Sequence, residues 1–200
     1  NVYYANLSGQ ISKVSQGNHM LTMNDLVGNN AVATWTNPSN PSDIVSFSVK
    51  KFNKINRLTD VNNDIFYNVE FGKVEEINYE SVDGKIVQGW VVKPPQFDSK
   101  KKYPLVLRIH GGPHSMYNVG FNYNFQLHAA QDQVVLYTNP RGSTGYGYDF
   151  ANAIQNAYPG NDYDDIMAGV DEIISRGYID ENKMYVYGGS GGGVLTSWIV

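Results

Sequence analysis

The chain has 200 residues, of which 42% are hydrophobic and 17% are charged, a balance typical of a globular protein with a buried core. A net charge of −4 without a basic cluster argues against a nucleic-acid partner, and no apolar run approaches the ~18 residues that a membrane span needs. The absence of cysteine excludes disulfides, a cysteine nucleophile and cysteine-ligated zinc, but it leaves the compartment open, with the cytoplasm favoured. Because residue 1 is Asn and no signal-like segment follows, we expect a piece of a longer protein.

Residues 1–72 consist of short β-prone runs separated by Asn, Gly, Ser and Pro. Evenly spaced strands and turns of this kind are typical of meander sheets such as propeller blades. We expect the aromatic side chains of Tyr3, Tyr4, Trp35 and Phe47 to face inward and pack. The predicted strands are 1–5, 10–14, 31–36, 43–48 and a run near 65–71, and the predicted turns are 38–42 and 62–64.

From Val74 onward the pattern changes to strands that alternate with helices. Residues 74–81 and 85–92 predict a β-hairpin around Asp83-Gly84, and the apolar run 194–200 fits either a buried helix or a buried strand. Strands that are apolar on both faces and alternate with helices indicate an α/β fold with a mostly parallel, covered sheet. The other predicted elements are strands at 105–109, 134–138 and 184–187, and helices at 121–131, 148–155 and 162–176.

A glycine cluster with Ser190 at its centre follows the last predicted strand. Residues 188–192 satisfy G-x-S-x-G, the strand–turn–helix motif that exposes a nucleophilic serine above a sheet. Residues two before and two after such a serine lie against each other, so side chains there would clash. The alternatives are a flexible loop or a phosphate cradle, but no Lys-Ser/Thr pair follows and the spacing misses G-x-G-x-x-G.

Two other glycine-bearing loops, at 110–114 and 139–147, also follow predicted strands. Because ligands of open α/β sheets bind outside the carboxyl ends of the strands, we expect the three loops to meet. His110-Gly111-Gly112 resembles the strand-end motif whose backbone N–H supplies one oxyanion donor. The other donor is the N–H of the residue after the nucleophile, here Gly191.

Four segments in this order and spacing resemble the prolyl oligopeptidase family of serine peptidases, in its acylaminoacyl-peptidase-like branch. The resemblance covers residues 74–200. It implies that residues 1–72 are the C-terminal part of a β-propeller and that residues 73–200 are the N-terminal part of an α/β-hydrolase catalytic domain. The four segments are HGGPH at 110–114, NPRGSTGYG at 139–147, DYDD at 162–165 and GGSGGG at 188–193.

The resemblance also implies roles for individual residues. Ser190 is the expected nucleophile, and the amides of Gly112 and Gly191 form the expected oxyanion hole, with no cofactor or metal. Residue 191 is Gly, whereas this branch usually has Tyr at that position, so the residues that line the specificity pocket are not predicted. Asp132 stands where the family tends to have Gly.

The remaining histidines and Arg141 have expected roles outside the chemistry. We expect His110 to orient its loop, and His114 to form a loop hydrogen bond. Arg141 lies near the site in the family fold and should pair with a carboxylate of segment 162–165, because a buried guanidinium is costly without a partner. His19 and His128 are expected to be surface or core residues, and no spacing of ligands suggests a metal site.

The leading functional hypothesis is a serine peptidase that cleaves short peptides through an acyl-enzyme on Ser190, since a propeller over the site would exclude folded proteins. The alternatives are an α/β-hydrolase esterase and a non-enzymatic binding protein of the same fold. The sequence leaves the oligomeric state open, a homo-oligomer included. The ten residues after Ser190 contain neither an acidic residue nor His, so we expect this chain alone to lack a complete triad.

Overall fold

The structure is a computed structural model that describes residues 1–52 and 54–200. It divides into two compact units, one comprising Asn1–Glu70 with Asn118–Asn122 and the other comprising Phe71–Tyr117 with Tyr123–Val200. Within the described residues, every helix is too short or too polar to cross a membrane.

The first unit is built from antiparallel strands that follow one another along the chain. Its strands are β1 (Tyr3–Ala5), β2 (Ile11–Lys13), β3 (Met20–Val27), β4 (Asn30–Asn37), β5 (Asn40–Ser48) and β6 (Asn56–Arg57). β1 pairs with β2, and the other four form one sheet in the order β3-β4-β5-β6. This up-and-down order is that of a propeller blade. One face of the sheet holds a small core of Leu21, Ala31, Ala33, Val45 and Phe47.

Several expectations for this unit are wrong or incomplete. Tyr3 and Tyr4 are exposed, at 58% and 59%, because the β1–β2 ribbon buries neither of its faces. Trp35 is half-buried, and only Phe47 faces the core fully as expected. β3 was not predicted, since its Asn24-Asp25 pair is unfavourable in a strand and pairing with β4 overrides that preference.

The run near 65–71 does not form the predicted strand. Residues Asn63–Phe66 form a short helix, α1, in which the N–H of Phe66 donates to the Asn62 carbonyl at 3.0 Å. The predicted turn at 62–64 is therefore the start of this helix, where Asn and Asp side chains are favoured. The predicted turn at 38–42 is shorter than expected, because β5 already begins at Asn40.

The second unit contains one five-stranded mixed sheet. Its strands are β7 (Lys73–Glu80), β8 (Ile86–Lys93), β9 (Tyr103–Ile109), β10 (Val134–Asn139) and β11 (Ile179–Gly188). The order across the sheet is β11-β9-β10-β8-β7. β7, β8 and β10 pair antiparallel, while β10, β9 and β11 run parallel. The predicted α/β class, with a hairpin leading into parallel strands, is confirmed.

Helices cover both faces of this sheet. They are α2 (Tyr123–Ala130), α3 (Tyr148–Asn152), α4 (Asn161–Ser175) and α5 (Gly191–Ile199). α4 buries Ile166, Val170 and Ile173, which recur at helical spacing, in the core that includes the apolar residues of β7 and β10. The apolar run after Ser190, which fitted a helix or a strand, belongs to α5. β9 and β11 run parallel, so their carboxyl ends lie at the same end of the sheet, and α5 begins there.

Candidate active site

Ser190 lies at the sharp turn between β11 and α5. β11 ends at Gly188 and α5 begins at Gly191, so only Gly189 and Ser190 lie between the strand and the helix. Its backbone has φ 56° and ψ −123°, a left-handed conformation that is costly for a residue other than glycine. The residue is exposed to solvent. A strained turn that presents a serine hydroxyl above a sheet edge is the geometry of a nucleophile elbow.

The glycines on both sides of this serine are required by close backbone contacts. A Cβ on Gly188 would lie 2.5 Å from both the carbonyl carbon and the carbonyl oxygen of Gly192. A Cβ on Gly192 would in turn lie 2.5 Å from the carbonyl oxygen of Ile109, at the end of β9. The predicted contact between the residues two before and two after the serine is therefore present. The turn also packs directly on the neighbouring strand.

The loop after β9 contacts the same turn. A Cβ on Gly111 would lie 3.0 Å from the Gly189 carbonyl oxygen and 3.4 Å from the Ser190 Cβ. A Cβ on Gly191 would lie 2.9 Å from the carbonyl oxygen of Gly112, so the two glycines that were expected to supply the oxyanion donors are in contact. Neither the Gly112 N–H nor the Gly191 N–H donates a hydrogen bond within the described residues. Two unpaired N–H groups beside an exposed serine are what a developing oxyanion needs.

His110 and His114 tie the two strand-end loops together. The His110 Nδ1–H donates to the Gly111 carbonyl at 2.8 Å, and Nε2 lies 3.0 Å from the Ser143 hydroxyl. Burial lowers the pKa of His110 and so favours the neutral ring, in which Nδ1 carries the proton and Nε2 accepts from that hydroxyl. The His114 Nδ1–H donates to the Gly142 carbonyl at 3.1 Å. Both rings are thus engaged with loop residues, as a loop-orienting role requires.

Arg141 forms the predicted ion pair, and its partner is Asp165. The side chain is 4% exposed, and its Nη2 and Nε lie 2.6 Å and 2.9 Å from the two Asp165 carboxylate oxygens. The Arg141 backbone N–H donates to the same carboxylate at 2.8 Å, and Nη1 reaches Asp83 at 2.6 Å. The hydrogen bonds that Arg141 donates to Asp165 raise the pKa of Arg141, and the hydrogen bond that it donates to Asp83 lowers the pKa of Asp83. Arg141 therefore joins its loop to α4 and to the β7–β8 turn.

The other two histidines lie away from the serine turn. His19 is buried in the first unit at 8% exposure. His128 is half-buried on α2, where its ring nitrogens contact Gln133 at 2.7 Å and the Tyr187 hydroxyl at 3.0 Å. No hydrogen bond joins any histidine to Ser190 across residues 1–52 and 54–200. In that same part of the chain, no three His, Asp or Glu side chains are grouped to hold a metal ion.

Sequence reasoning missed Tyr158 and assigned no structural role of its own to Asp162. The Tyr158 hydroxyl donates to the Gly191 carbonyl at 2.7 Å. Asp162 is 1% exposed, its Oδ1 accepts from the Gly160 N–H at 2.7 Å, and its Oδ2 has no partner among the described residues. Burial raises the pKa of Asp162. No motif marks a tyrosine 32 residues before the serine, so only the folded chain identifies it.

Asp132 also has a structural explanation. Its φ of 56° lies in the left-handed region that favours glycine, which Asp tolerates better than most residues. The turn between α2 and β10 therefore keeps the backbone shape that a glycine would take there.

The sheet order, together with a serine on the turn that leaves a parallel strand for a helix, defines the second unit as an α/β-hydrolase fold. The sequence profile of the prolyl oligopeptidase family matches residues 119–200 of the chain.

Among curated relatives, the chain is 44% identical over 170 residues to the uncharacterized peptidase YuxL of Bacillus subtilis, a match that covers 84% of this chain and 26% of that protein. It is 38% identical over 128 residues to dipeptidyl-peptidase 5 of Schizosaccharomyces pombe, covering 62% of this chain and 19% of that protein. The chain thus spans about a quarter or less of the length of these relatives.

Solved structures agree with this placement. The acylaminoacyl peptidase of Pyrococcus horikoshii superposes with a TM-score of 0.84 at 26% identity, over 96% of this chain and 30% of that one. A puromycin-hydrolyzing peptidase of Mycobacterium tuberculosis has a TM-score of 0.81 at 19% identity, over 97% of this chain and 31% of that one, and it shows the fold alone.

Proposed function

We propose that the protein containing this chain is a serine peptidase that cleaves short peptides, of the acylaminoacyl-peptidase or oligopeptidase type. The observation that carries the proposal is the exposed Ser190 at φ 56°, beside the unpaired N–H groups of Gly112 and Gly191. Relatives named as dipeptidyl-peptidase 5 and acylaminoacyl peptidase support a peptide rather than another acyl substrate.

In the proposed reaction, the Ser190 oxygen attacks the carbonyl carbon of the scissile peptide bond and its proton passes to a general base. The carbonyl electron pair moves onto oxygen, which accepts hydrogen bonds from the Gly112 and Gly191 N–H groups. Collapse of this intermediate breaks the C–N bond, the base protonates the leaving amine, and an ester on Ser190 remains. Water then hydrolyses the ester by the same steps.

The general base of this reaction is proposed to come from outside residues 1–200. In α/β-hydrolases the acid and the histidine follow the nucleophile along the chain, and all four histidines here precede Ser190. The two ring nitrogens of His110, the nearest histidine along the loops of the site, face Gly111 and Ser143 instead.

The domain organisation is part of the proposal. Residues 1–72 are proposed as the C-terminal part of a β-propeller, and residues 73–200 as the N-terminal part of the catalytic domain. The blade-like order β3-β4-β5-β6 and the change to a mixed sheet at Lys73 support this division. A propeller of this kind would restrict substrates to short peptides.

The test compares the full-length protein with its Ser190→Ala and Ser197→Ala variants. Ser197 is an exposed serine on α5 and serves as the matched control. We expect fluorophosphonate labelling and the cleavage of blocked and free short peptides to be lost in Ser190→Ala and kept in Ser197→Ala. Hydrolysis of simple esters but not of peptides would favour the esterase. If the unsubstituted full-length protein is not labelled, the non-enzymatic binding protein is favoured.

A further inference from the structure

Tyr158 contacts the residue that follows the serine. Its hydroxyl donates to the Gly191 carbonyl at 2.7 Å, and that hydroxyl also lies 3.0 Å from the position that a Cβ on Gly191 would take. The Gly112 carbonyl oxygen lies 2.9 Å from the same position. Gly191 is buried, so it is enclosed between the Tyr158 phenol and the Gly112 backbone.

This enclosure limits the backbone freedom of Gly191. Glycine has no Cβ to limit its rotation, and Gly191 follows a serine that already holds a strained conformation. Its unpaired N–H has to point at the oxygen on which negative charge develops, and a donor is most effective when it is aimed before the reaction starts. A hydrogen bond to the Gly191 carbonyl restricts the rotation that would turn this residue away.

Tyr158 is itself held by a rigid segment. Its ring packs against the main core of the second unit. The chain after it is fixed at the start of α4, where Asp162 accepts from the Gly160 N–H at 2.7 Å and the Tyr163 N–H donates to the Gly160 carbonyl at 2.9 Å. A Cβ on Gly160 would lie 2.5 Å from the Ala157 carbonyl oxygen, so this turn has little room to shift. Groups carried on well-packed elements position a site more precisely than those on free loops.

We propose that Tyr158 is a positioning residue for the reaction at Ser190, which holds Gly191 against Gly112 so that the N–H groups of both glycines stay aimed at the oxyanion. The proposal rests on the proposed function. Tyr158 is not proposed to contact the substrate, because its hydroxyl already donates to the Gly191 carbonyl.

The test is a kinetic comparison of Tyr158→Phe and Tyr163→Phe in the full-length protein, with a short peptide substrate. Tyr163 lies five residues later, and its hydroxyl forms no hydrogen bond within residues 1–52 and 54–200. We expect Tyr158→Phe to lower kcat about tenfold, less than the loss of an oxyanion donor itself. KM should stay within about twofold, because the oxyanion exists only in the transition state and the intermediate. Tyr163→Phe should leave both constants unchanged.

A double-mutant cycle of Tyr158→Phe with Gly191→Ala tests whether Tyr158 acts on kcat through Gly191. The added Cβ would contact the Tyr158 hydroxyl and the Gly112 carbonyl, so its cost should fall when the hydroxyl is absent, and the two changes should be non-additive. Equal kcat values for Tyr158→Phe and Tyr163→Phe, or strictly additive changes in the cycle, would overturn the proposal. Ser190→Ala separates the two hypotheses, since peptide cleavage that survives it overturns the proposed function instead.

Discussion

Gly188 and Gly192 lie so close across the serine turn that a Cβ on Gly188 would stand 2.5 Å from the Gly192 carbonyl carbon. Real Cβ atoms do not approach backbone atoms to this distance, so any side chain at residue 188 would have to displace β11 from α5. The position of Ser190 therefore depends on two residues that take no part in the chemistry.

Gly188→Ala should lower the rate of fluorophosphonate labelling of the full-length protein by about 100-fold, because a displacement near 1 Å at a reacting group costs this much. The matched control is Gly189→Ala, since a Cβ on Gly189 meets no atom within 4 Å and its φ lies outside the left-handed region. Equal labelling rates for the two variants would show that the turn tolerates a side chain at residue 188.

Asp165→Asn should destabilise the protein by about 3–5 kcal/mol, because it leaves the buried Arg141 guanidinium without its main counter-charge. The free energy of unfolding in urea measures the effect. Asp164→Asn is the control: Asp164 forms no ion pair among the described residues, and its loss from the first turn of α4 should cost at most about 1 kcal/mol. Similar losses in both variants would contradict the assignment of Asp165 as the structural partner.

Asp162→Asn should stabilise the protein near neutral pH and lose this advantage in acid. Burial raises the pKa of Asp162, so the folded state holds the proton more tightly than the unfolded state. The protonated Asp162 carboxyl therefore makes its full contribution to stability below its unfolded pKa, about 3.9. This contribution is lost as the pH rises through the pKa of Asp162 in the folded state. Asn stays neutral and keeps an oxygen for the Gly160 N–H.

The pH dependence of Asp162→Asn can be followed through the midpoint of urea unfolding, measured at an acid pH near the unfolded pKa of about 3.9 and again at neutral pH. The charged and titratable groups that line the same small cavity are His110, Arg141 and Tyr158. A gain in stability that is larger at the acid pH would reverse the sign that burial requires, and would show that the backbone N–H groups around Asp162, that of Gly160 among them, outweigh burial by favouring the ionised carboxylate.

The 200-residue chain alone should label far more slowly with a fluorophosphonate than the full-length protein. No histidine is bonded to Ser190 in the described part of the chain, so the hydroxyl has the weak nucleophilicity of an ordinary alcohol. Rapid labelling of the short chain would mean that His19, His110, His114 or His128 acts as the base.

The strands and helices of the second unit were predictable because their apolar periodicities are long and agree with their burial. In the first unit the signals were weaker. The run near 65–71 has apolar residues that fit a strand, but the Asn and Asp residues before it start a helix. Tyr3 and Tyr4 have strand propensity, yet propensity does not say whether a second layer covers the ribbon.

The sequence by itself determined the serine turn, because G-x-S-x-G is a local steric requirement that the residues on either side of Ser190 satisfy without help from the rest of the chain. It also determined that Arg141 needs an acidic partner, since that is a matter of charge and burial. Only the tertiary structure decided that this partner is Asp165 rather than Asp162, and that Tyr158 holds Gly191. Those contacts join segments 24 and 33 residues apart, and their distances depend on how α4 packs on the sheet.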